Sequence, residues 1–301
     1  MDSIRILVTG ANGFLGQNLV SALLNKSFIV IGTGQGDSRL SIDPQFPFTY
    51  SSLDLLDDQG LENLFSEISP NVVVHAGAMT QVDHCELNRE DCYQVNVIAT
   101  KKIMQLANEH GAFFIFISTD FVFDGEKGNY VEGDSLAPVN WYGQTKMDAE
   151  IVVRQLEIPW AIVRTCLVYG KSTPGSRLNI ITWVRSQLQK EERIRVVNDQ
   201  FRTPTYVEDL ANGIVKVIDS ESGGIFHLSG DETLTPYQMA IKTAKYCGLD
   251  AGLIEKVNAQ SFTQPARRPA KTGFSIEKAK SNLGFLPTPF DTALDRILRD
   301  S

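Results

Sequence analysis

The sequence is poor in the residues that hold metals and disulfides together. It has 4 cysteines and 4 histidines in 301 residues. Cys85, Cys92, Cys166 and Cys247 form no Cys-x-x-Cys pair, so neither a zinc site nor a disulfide framework is expected, and reduced thiols in the cytoplasm are. His75, His84, His110 and His227 are widely spread, which brings no metal site into view. Basic residues are also in deficit, with 28 Lys and Arg against 36 Asp and Glu and a formal charge of −8. That balance argues against a general nucleic-acid or membrane-surface binder, although a local patch can still hold an anionic small ligand. No apolar run approaches the length of a membrane span. Met1-Asp2-Ser3-Ile4-Arg5 leads straight into an apolar run, so no signal peptide is expected. No internal repeat or low-complexity tract is visible.

What is present is material for a large α/β core. Hydrophobic residues make up 43% of the chain, and the length suits one large domain or two closely joined ones. Apolar runs predict strands near 4–8, 28–31, 72–77, 113–118 and 160–164, with helices between them over 17–25, 57–68 and 89–108 and around Tyr142. Such alternation implies a parallel sheet covered on both faces. After Gly170 the rhythm changes: a helix near 179–189, a strand at 194–197, a helix over 207–218, a strand at 225–228, then short helices and loops. The expected fold is α/β, a doubly wound Rossmann-type parallel sheet with a smaller, mostly C-terminal α/β substrate domain. Residues 1–168 and 206–222 are assigned to the dinucleotide-binding domain, and 169–205 and 223–301 to the substrate domain.

The first strand runs into Thr9-Gly10-Ala11-Asn12-Gly13-Phe14-Leu15-Gly16 and then a helix. Strand, glycine turn and helix form the context in which a glycine fingerprint carries meaning. Gly10 would make the tight turn, Gly13 would admit a pyrophosphate to the backbone, and Gly16 would let helix and strand approach. The helix N-terminus would offer free N–H groups to the phosphates. At the end of the second strand, an acidic residue would grip a ribose 2′-hydroxyl and an arginine would accept a 2′-phosphate. Asp37 stands late there with Ser38 and Arg39 beside it, which tilts the reading to NADPH with NADH also possible; a plain polar loop fits the same residues. Asp54 is placed to contact the adenine or to neighbour a helix cap. The third strand ends in His75-Ala76-Gly77-Ala78, whose small residues leave room for a ligand, while His75 reads as a packed strand histidine. Asn96, if buried in its helix, would bond to backbone near the site; otherwise it would sit on a solvated face.

Ser118-Thr119-Asp120 closes a strongly apolar strand and places hydroxyl groups where the ligand crevice of such a sheet lies. Tyr142 and Lys146 stand four residues apart, on one face of a helix. A phenol near a cation gives up its proton more readily, which suits proton transfer to a sugar or ketone oxygen. Arg267-Arg268-Pro269-Ala270-Lys271 is the one dense basic cluster; it would meet a phosphate or be a solvated loop.

Taken together, Thr9-Gly10-x-x-Gly13-x-x-Gly16, Ser118-Thr119 and Tyr142-x-x-x-Lys146 resemble the extended short-chain dehydrogenase/reductases. Ser118-Thr119-Asp120-Phe121-Val122-Phe123-Asp124-Gly125 is similar to the signature of the dTDP-4-dehydrorhamnose reductases, as are Asp199-Gln200, Pro204-Thr205-Tyr206-Val207-x-Asp209-Leu210-Ala211 and Arg268-Pro269. The resemblance covers nearly the whole chain. It implies reduction of the C4 keto group of a nucleotide-linked sugar, most directly dTDP-4-dehydrorhamnose to dTDP-rhamnose, by a monomer or homodimer. It further implies that Tyr142 is the proton donor, that Lys146 lowers its pKa and holds the nicotinamide ribose, that Thr119 or else Ser118 binds the carbonyl oxygen, and that Asp120 orients the site. Gly10, Asn12, Gly13, Phe14, Leu15, Gly16, Ser38, Arg39, Asp54, Leu55, Ala76, Gly77, Ala78 and Asn96 would hold the cofactor with Tyr142 and Lys146. Thr80, Asp120, Val122, Phe123, Gln200, Arg268 and Lys271 would hold the substrate. The chain departs from the family at Phe121, where tyrosine is common, at His75-Ala76-Gly77-Ala78, where an all-alanine run is usual, and at Phe201-Arg202-Thr203, where a glycine is often seen. The same signatures occur in a regulatory subunit of methionine adenosyltransferase, and sister epimerases and dehydratases share much of the pattern; both stand as alternatives.

Overall fold

The computed structural model describes residues 4–26 and 28–299. The expectation about a leader at Met1–Ser3, and the outermost ends of the two-domain division, lie outside the described residues.

In chain order the strands are β1 (Arg5–Thr9), β2 (Ile29–Gly34), β3 (Phe48–Ser52), β4 (Val72–His75), β5 (Phe113–Thr119), β6 (Trp160–Thr165), β7 (Val168–Tyr169), β8 (Ile194–Val197), β9 (Thr205–Tyr206), β10 (Gly224–His227) and β11 (Ile254–Val257). Seven of them form one parallel sheet in the order β10-β6-β5-β4-β1-β2-β3. The order turns back at β1 and β4, and this is where an open α/β sheet places its ligand crevice.

Alternation along the strands explains why both faces are covered. Ile6, Val8, Val72, Val74, Ile115 and Val163 feed one core, together with Leu19, Val20 and Leu23 of α1 (Phe14–Leu24) and Leu210 and Ile214. Leu7, Ile31, Val73, Phe114, Phe116 and Ile162 feed the opposite core, with Leu61 and Phe65 of α2 (Asp58–Ile68) and Ala149 and Val153. Successive side chains of a strand point to opposite faces, so an unbroken apolar run serves two helical layers at once. Two smaller cores gather residues 169–298 around helices Ile180–Gln189, Pro236–Cys247 and Phe290–Leu298 and the β8–β11 pair.

Three local expectations are corrected. β3 was not anticipated: it is a short edge strand of sequence FTYSS, partly exposed on both faces, with no apolar run to reveal it. β10 lies in the main sheet against β6 and not in a separate C-terminal unit, so the division at residue 223 does not follow the sheet. The helix expected over 89–108 is interrupted by a π-helical turn at Gln94–Ile98. That turn carries the buried Asn96, whose Oδ1 accepts from Met79 N at 2.8 Å and whose Nδ2 donates to Met79 O and to Thr145 Oγ1 at 3.0 Å each.

Beneath the sheet's carboxyl edge lies a dry ion pair. Glu150 and Arg164 are both 0% exposed; Arg164 Nε and Nη2 donate to the two carboxylate oxygens at 2.8 and 2.7 Å. Ser118 Oγ donates to Glu150 at 2.6 Å and Arg154 Nη2 at 3.0 Å. The pair ties the helix that carries Tyr142 to β5 and β6. Removing one partner strands the other charge in a low-dielectric interior. Glu150→Gln is therefore expected to lower unfolding free energy by about 3–5 kcal/mol, read by denaturant unfolding; a loss below about 1 kcal/mol, the range of a surface pair, would contradict this description.

Candidate active site

The glycine turn is built on approaches that leave no space for a side chain. Gly10 has φ +69°, and a Cβ placed on it would stand 2.8 Å from Gly77 N and Cα. A Cβ on Gly16 would stand 2.2 Å from Gly10 O and 2.7 Å from Ala11 Cα, so α1 lies directly on the turn. Helix α1 is capped by Gly13 with no side-chain acceptor and no acidic residue in its first turn. Its leading N–H groups are thus left for an anion, with the positive end of the helix dipole behind them. The cradle fits a dinucleotide pyrophosphate.

Above it opens a cavity of about 610 Å³ at the carboxyl ends of β1, β4 and β5. Gly10, Gly13, Phe14, Leu15 and Gly16 line one end, Ala76, Gly77, Ala78 and Thr80 the floor, and Ser118, Thr119, Asp120, Tyr142, Lys146 and Gln200 the other end. All of these were singled out in the sequence. The cavity also takes in Arg202, Thr165, Leu167 and Val168, which were not. Arg202 stood in the sequence only as a departure from a family pattern; nothing in local periodicity marks a buried arginine.

Tyr142 is placed by helix packing. It lies at the start of helix α3 (Trp141–Val153). Asn140 caps this helix, its Oδ1 accepting from Gly143 N at 2.8 Å. A Cβ on Gly143 would fall 2.1 Å from Phe121 O, so the helix start presses onto the end of β5. The Phe121 ring meets Tyr142 edge-on at 6.1 Å. Tyr142 lies beside Thr119 in the cavity wall, and Thr119 Oγ1 donates to Asp120 Oδ1 at 3.1 Å.

The electrostatics differ from the sequence reading in one respect. Burial pushes the Tyr142 phenol well above its ordinary value, and Thr119 is what draws it back. Burial, Thr119 and Asp120 act on the Tyr142 phenol most strongly in the ligand-free chain. Burial pushes the Lys146 ammonium down to about 7, against the pull of Glu150. Its Nζ sits 3.9 Å from the centroid of the Phe116 ring. Desolvation disfavours the charged form of each group, and in this dry wall it dominates.

Other expectations are corrected by position. Ser118 lines the cavity, but its hydroxyl is committed to Glu150. Val122 and Phe123 are fully buried; Phe123 stacks on Tyr130 at 4.1 Å and faces the core, away from any substrate. Arg268 does not reach the cavity, because its guanidinium is engaged by Asp83 at 2.5 and 2.6 Å. Lys271 lines a separate recess of about 270 Å³ with Lys127 and Phe201.

The adenosine end is similarly self-bonded. Asn12 ties the loop after β2 to the turn: Nδ2 donates to Asp37 O at 2.9 Å and Tyr50 Oη at 2.7 Å, and Oδ1 accepts from Arg39 N at 2.9 Å. Arg39 Nη1 donates to Gly175 O at 3.0 Å, and Ser38 Oγ accepts from Leu40 N at 3.2 Å. Asp54 accepts from Leu56 N and from Gln35 Nε2, and Leu55 packs beneath Gly77. Asn96 serves Met79 and Thr145, behind the cavity wall. His75 is the packed histidine that the strand implied, bonded to Thr9 and Thr100 at 2.7 and 2.9 Å and held uncharged by burial. Among the described residues, no group of three or more His, Cys, Asp or Glu could hold a metal, and no helix is long and apolar enough to cross a membrane.

A family model, the RmlD substrate binding domain, matches residues 4–301. The chain belongs to this family. Within reach of it, the chain is 32% identical over 279 residues to a probable low-salt glycan biosynthesis reductase of Haloferax volcanii, covering 92% of this chain and 91% of the relative. It is 30% identical to methionine adenosyltransferase 2 subunit beta of Mus musculus, over 99% of this chain and 88% of that one. Among solved structures, dTDP-4-dehydrorhamnose reductase from Bacillus anthracis in complex with NADP superposes with a TM-score of 0.85 at 28% identity, over 99% and 100% of the two chains. The seven-strand sheet with helices on both faces is thus the Rossmann-type fold of the RmlD family.

The state of Lys146 has a consequence for stability. Its folded pKa, about 7, lies below its ordinary 10.5. The folded chain therefore bears the full cost of the buried charge below about pH 7, and that cost fades as pH rises toward the unfolded value. Lys146→Met in the ligand-free chain is expected to be more stable than the parent near neutrality, with the gap narrowing toward about pH 10. Denaturant midpoints measured across that range check this; a gap that does not change with pH would contradict it.

Proposed function

We propose that the chain reduces the C4 keto group of a nucleotide-linked sugar with NADPH (NADH also serving), dTDP-4-dehydrorhamnose to dTDP-rhamnose being the reaction favoured. The observation that carries this reading is one cavity joining an uncapped helix N-terminus on a glycine turn to the Tyr142 and Thr119 hydroxyls in its wall. The first half suits a dinucleotide; the second suits a carbonyl oxygen. The reductase relative that binds NADP supports the cofactor and the substrate class. We place the reaction in the cytoplasm, carried out by a monomer or homodimer.

When bound along the carboxyl ends of β1, β4 and β5, the cofactor supplies a hydride to the sugar carbonyl carbon. Gly10, Gly13, Phe14, Leu15 and Gly16 would hold its pyrophosphate, Arg39 and Ser38 the adenosine end, and Lys146 the nicotinamide ribose. Thr119, whose single hydroxyl proton goes to Asp120 Oδ1 in the ligand-free chain, would turn that proton to the carbonyl oxygen and fix it against Tyr142. The Tyr142 phenol then donates its proton to that oxygen as negative charge develops there. A phenol kept protonated by burial is in the correct state to be a donor, and the oxygen that receives its proton becomes a sugar hydroxyl. The phenolate left behind is relieved by Lys146, four residues along the same helix face. The small residues Ala76, Gly77 and Ala78 leave the cavity floor open, while Thr80 and Gln200 offer polar groups to the sugar. Leu167 and Val168 add an apolar stretch to the cavity wall.

A second reading is favoured by the 30% identity to methionine adenosyltransferase 2 subunit beta: a binding subunit that holds dinucleotide and partner without turnover. A sister epimerase or dehydratase is a third, and differs in that its cofactor is recycled. Stoichiometric oxidation of NADPH with a dTDP-, GDP- or UDP-linked 4-keto sugar marks the reductase, and sugar conversion without net cofactor oxidation separates the epimerase or dehydratase from the binding subunit. On the reductase reading, Tyr142→Phe lowers kcat roughly 10²–10⁴-fold, the range of a general acid, and leaves NADPH affinity nearly unchanged. Parent-level turnover in that variant would remove Tyr142 as the proton donor.

A further inference from the structure

Arg202 is only 3% exposed in the cavity wall, and its guanidinium is almost wholly spoken for. Nη1 donates to Phe201 O at 2.9 Å and Ala270 O at 3.1 Å. Nη2 donates to Pro269 O at 2.6 Å and faces Gln200 Oε1 at 3.4 Å. Its Nε is left pointing to Asp120 Oδ2, 3.7 Å away. Four N–H groups fixed on neighbouring chain cannot turn toward a ligand, so this arginine is a stationary charge and not a substrate-gripping arm.

The carboxylate it faces is asymmetric. Asp120 Oδ2 takes the Thr272 hydroxyl, the Cys166 thiol at 3.3 Å and the Arg202 charge. Oδ1 takes only Thr119, at 3.1 Å, and a carboxylate oxygen has a second lone pair to offer. Asp120 lines the cavity beside Tyr142 and Thr119. Burial pushes its carboxyl above the ordinary value, while Arg202 is the strongest of the groups that draw it back, ahead of Thr272, Cys166 and Thr119. A protonated Asp120 would present a donor where an acceptor stands and would disturb its bond from Thr119, next to Tyr142.

We propose that Arg202 is a positioning residue that acts through Asp120, fixing it as an anion in the cavity wall so that Oδ1 accepts a hydrogen bond from the sugar hydroxyl next to the reacting carbonyl. The identity of that hydroxyl rests on the functional reading above; the coupling of Arg202 to Asp120 does not. A site built to bond a hydroxyl rejects an analogue that lacks it far more strongly than an apolar pocket does. The pair therefore sets which keto sugar is accepted, through a residue of the Phe201-Arg202-Thr203 segment that departs from the family pattern.

Carboxyl ¹³C NMR of Asp120 in the ligand-free full chain, assigned with Asp120→Asn, tests the coupling without turnover. The titration midpoint is expected to move to higher pH in Arg202→Gln and to stay near the parent's in Arg202→Lys. Arg202→Met, which keeps the packed stem, makes the same comparison where Arg202→Gln does not fold. An unmoved midpoint in the neutral variant overturns the proposal. In kinetics, kcat/KM of Arg202→Gln should fall on the order of tenfold more at about pH 5.5 than at about pH 8, with no such pH-dependent loss in an Asp120→Asn background. A uniform loss at all pH values would make Arg202 a structural clamp and overturn its role through Asp120. Failure of every 4-keto nucleotide sugar to turn over would sink the functional reading, and the NMR midpoint would still decide the coupling.

Discussion

The site depends on backbone approaching backbone more closely than any side chain permits. Gly10 meets Gly77 across the turn between β1 and β4, Gly16 sets α1 on Gly10, and Gly143 sets the Tyr142 helix on Phe121. The first two contacts bring an uncapped helix N-terminus to the point where the strand order turns back. The third brings a phenol to the end of β5. A methyl group at Gly16 or Gly143 would have to displace backbone, and interiors packed at crystal density transmit such displacement over several residues. The chemistry is placed by these contacts before any hydrogen bond is counted.

Around that frame the structure keeps its charges dry, and dryness decides their states. Lys146 is drawn toward neutrality, Tyr142 is held protonated and Asp120 is pushed toward protonation, each chiefly by desolvation. Two buried arginines oppose this trend from below and beside the cavity. Arg164 holds Glu150 ionised through a two-pronged contact, and Glu150 in turn holds Ser118 and supports the Lys146 charge. Arg202 stands against Asp120. A bound anion on the glycine cradle would shift the same balance toward a charged Lys146, since opposite charge favours the ionised form. A bound dinucleotide and Lys146 would thus be coupled, each making the other's charge easier to keep in a low-dielectric site.

Much of this was legible in the sequence, for a physical reason. Fully buried parallel strands read as unbroken apolar runs, and a glycine forced by a close approach cannot be replaced, so β1, β4, β5 and the cradle announced themselves. Tyr142, Lys146 and Thr119 sit at fixed offsets from those elements. What escaped was long-range or weakly patterned. The edge strand β3 carries no run. The commitment of Ser118 to Glu150, 32 residues away, leaves no local trace. Arg268 and Asp83 find each other across 185 residues, which turned an expected phosphate ligand into an ion pair at the rim. Val122 and Phe123 belong to a motif that resembles a binding signature, yet alternation buries them in the core. The motif marked the right strand end without saying which of its side chains face the cavity.

The central claim is that this cavity carries out hydride and proton transfer to the C4 carbonyl of a nucleotide-linked sugar. Its most direct test is to supply dTDP-4-dehydrorhamnose with NADPH deuterated at the transferring position and to locate the label in the product. Deuterium is expected at C4 of the sugar, in amount equal to the cofactor oxidised. Cofactor left unconsumed, or product without label at C4, would contradict it.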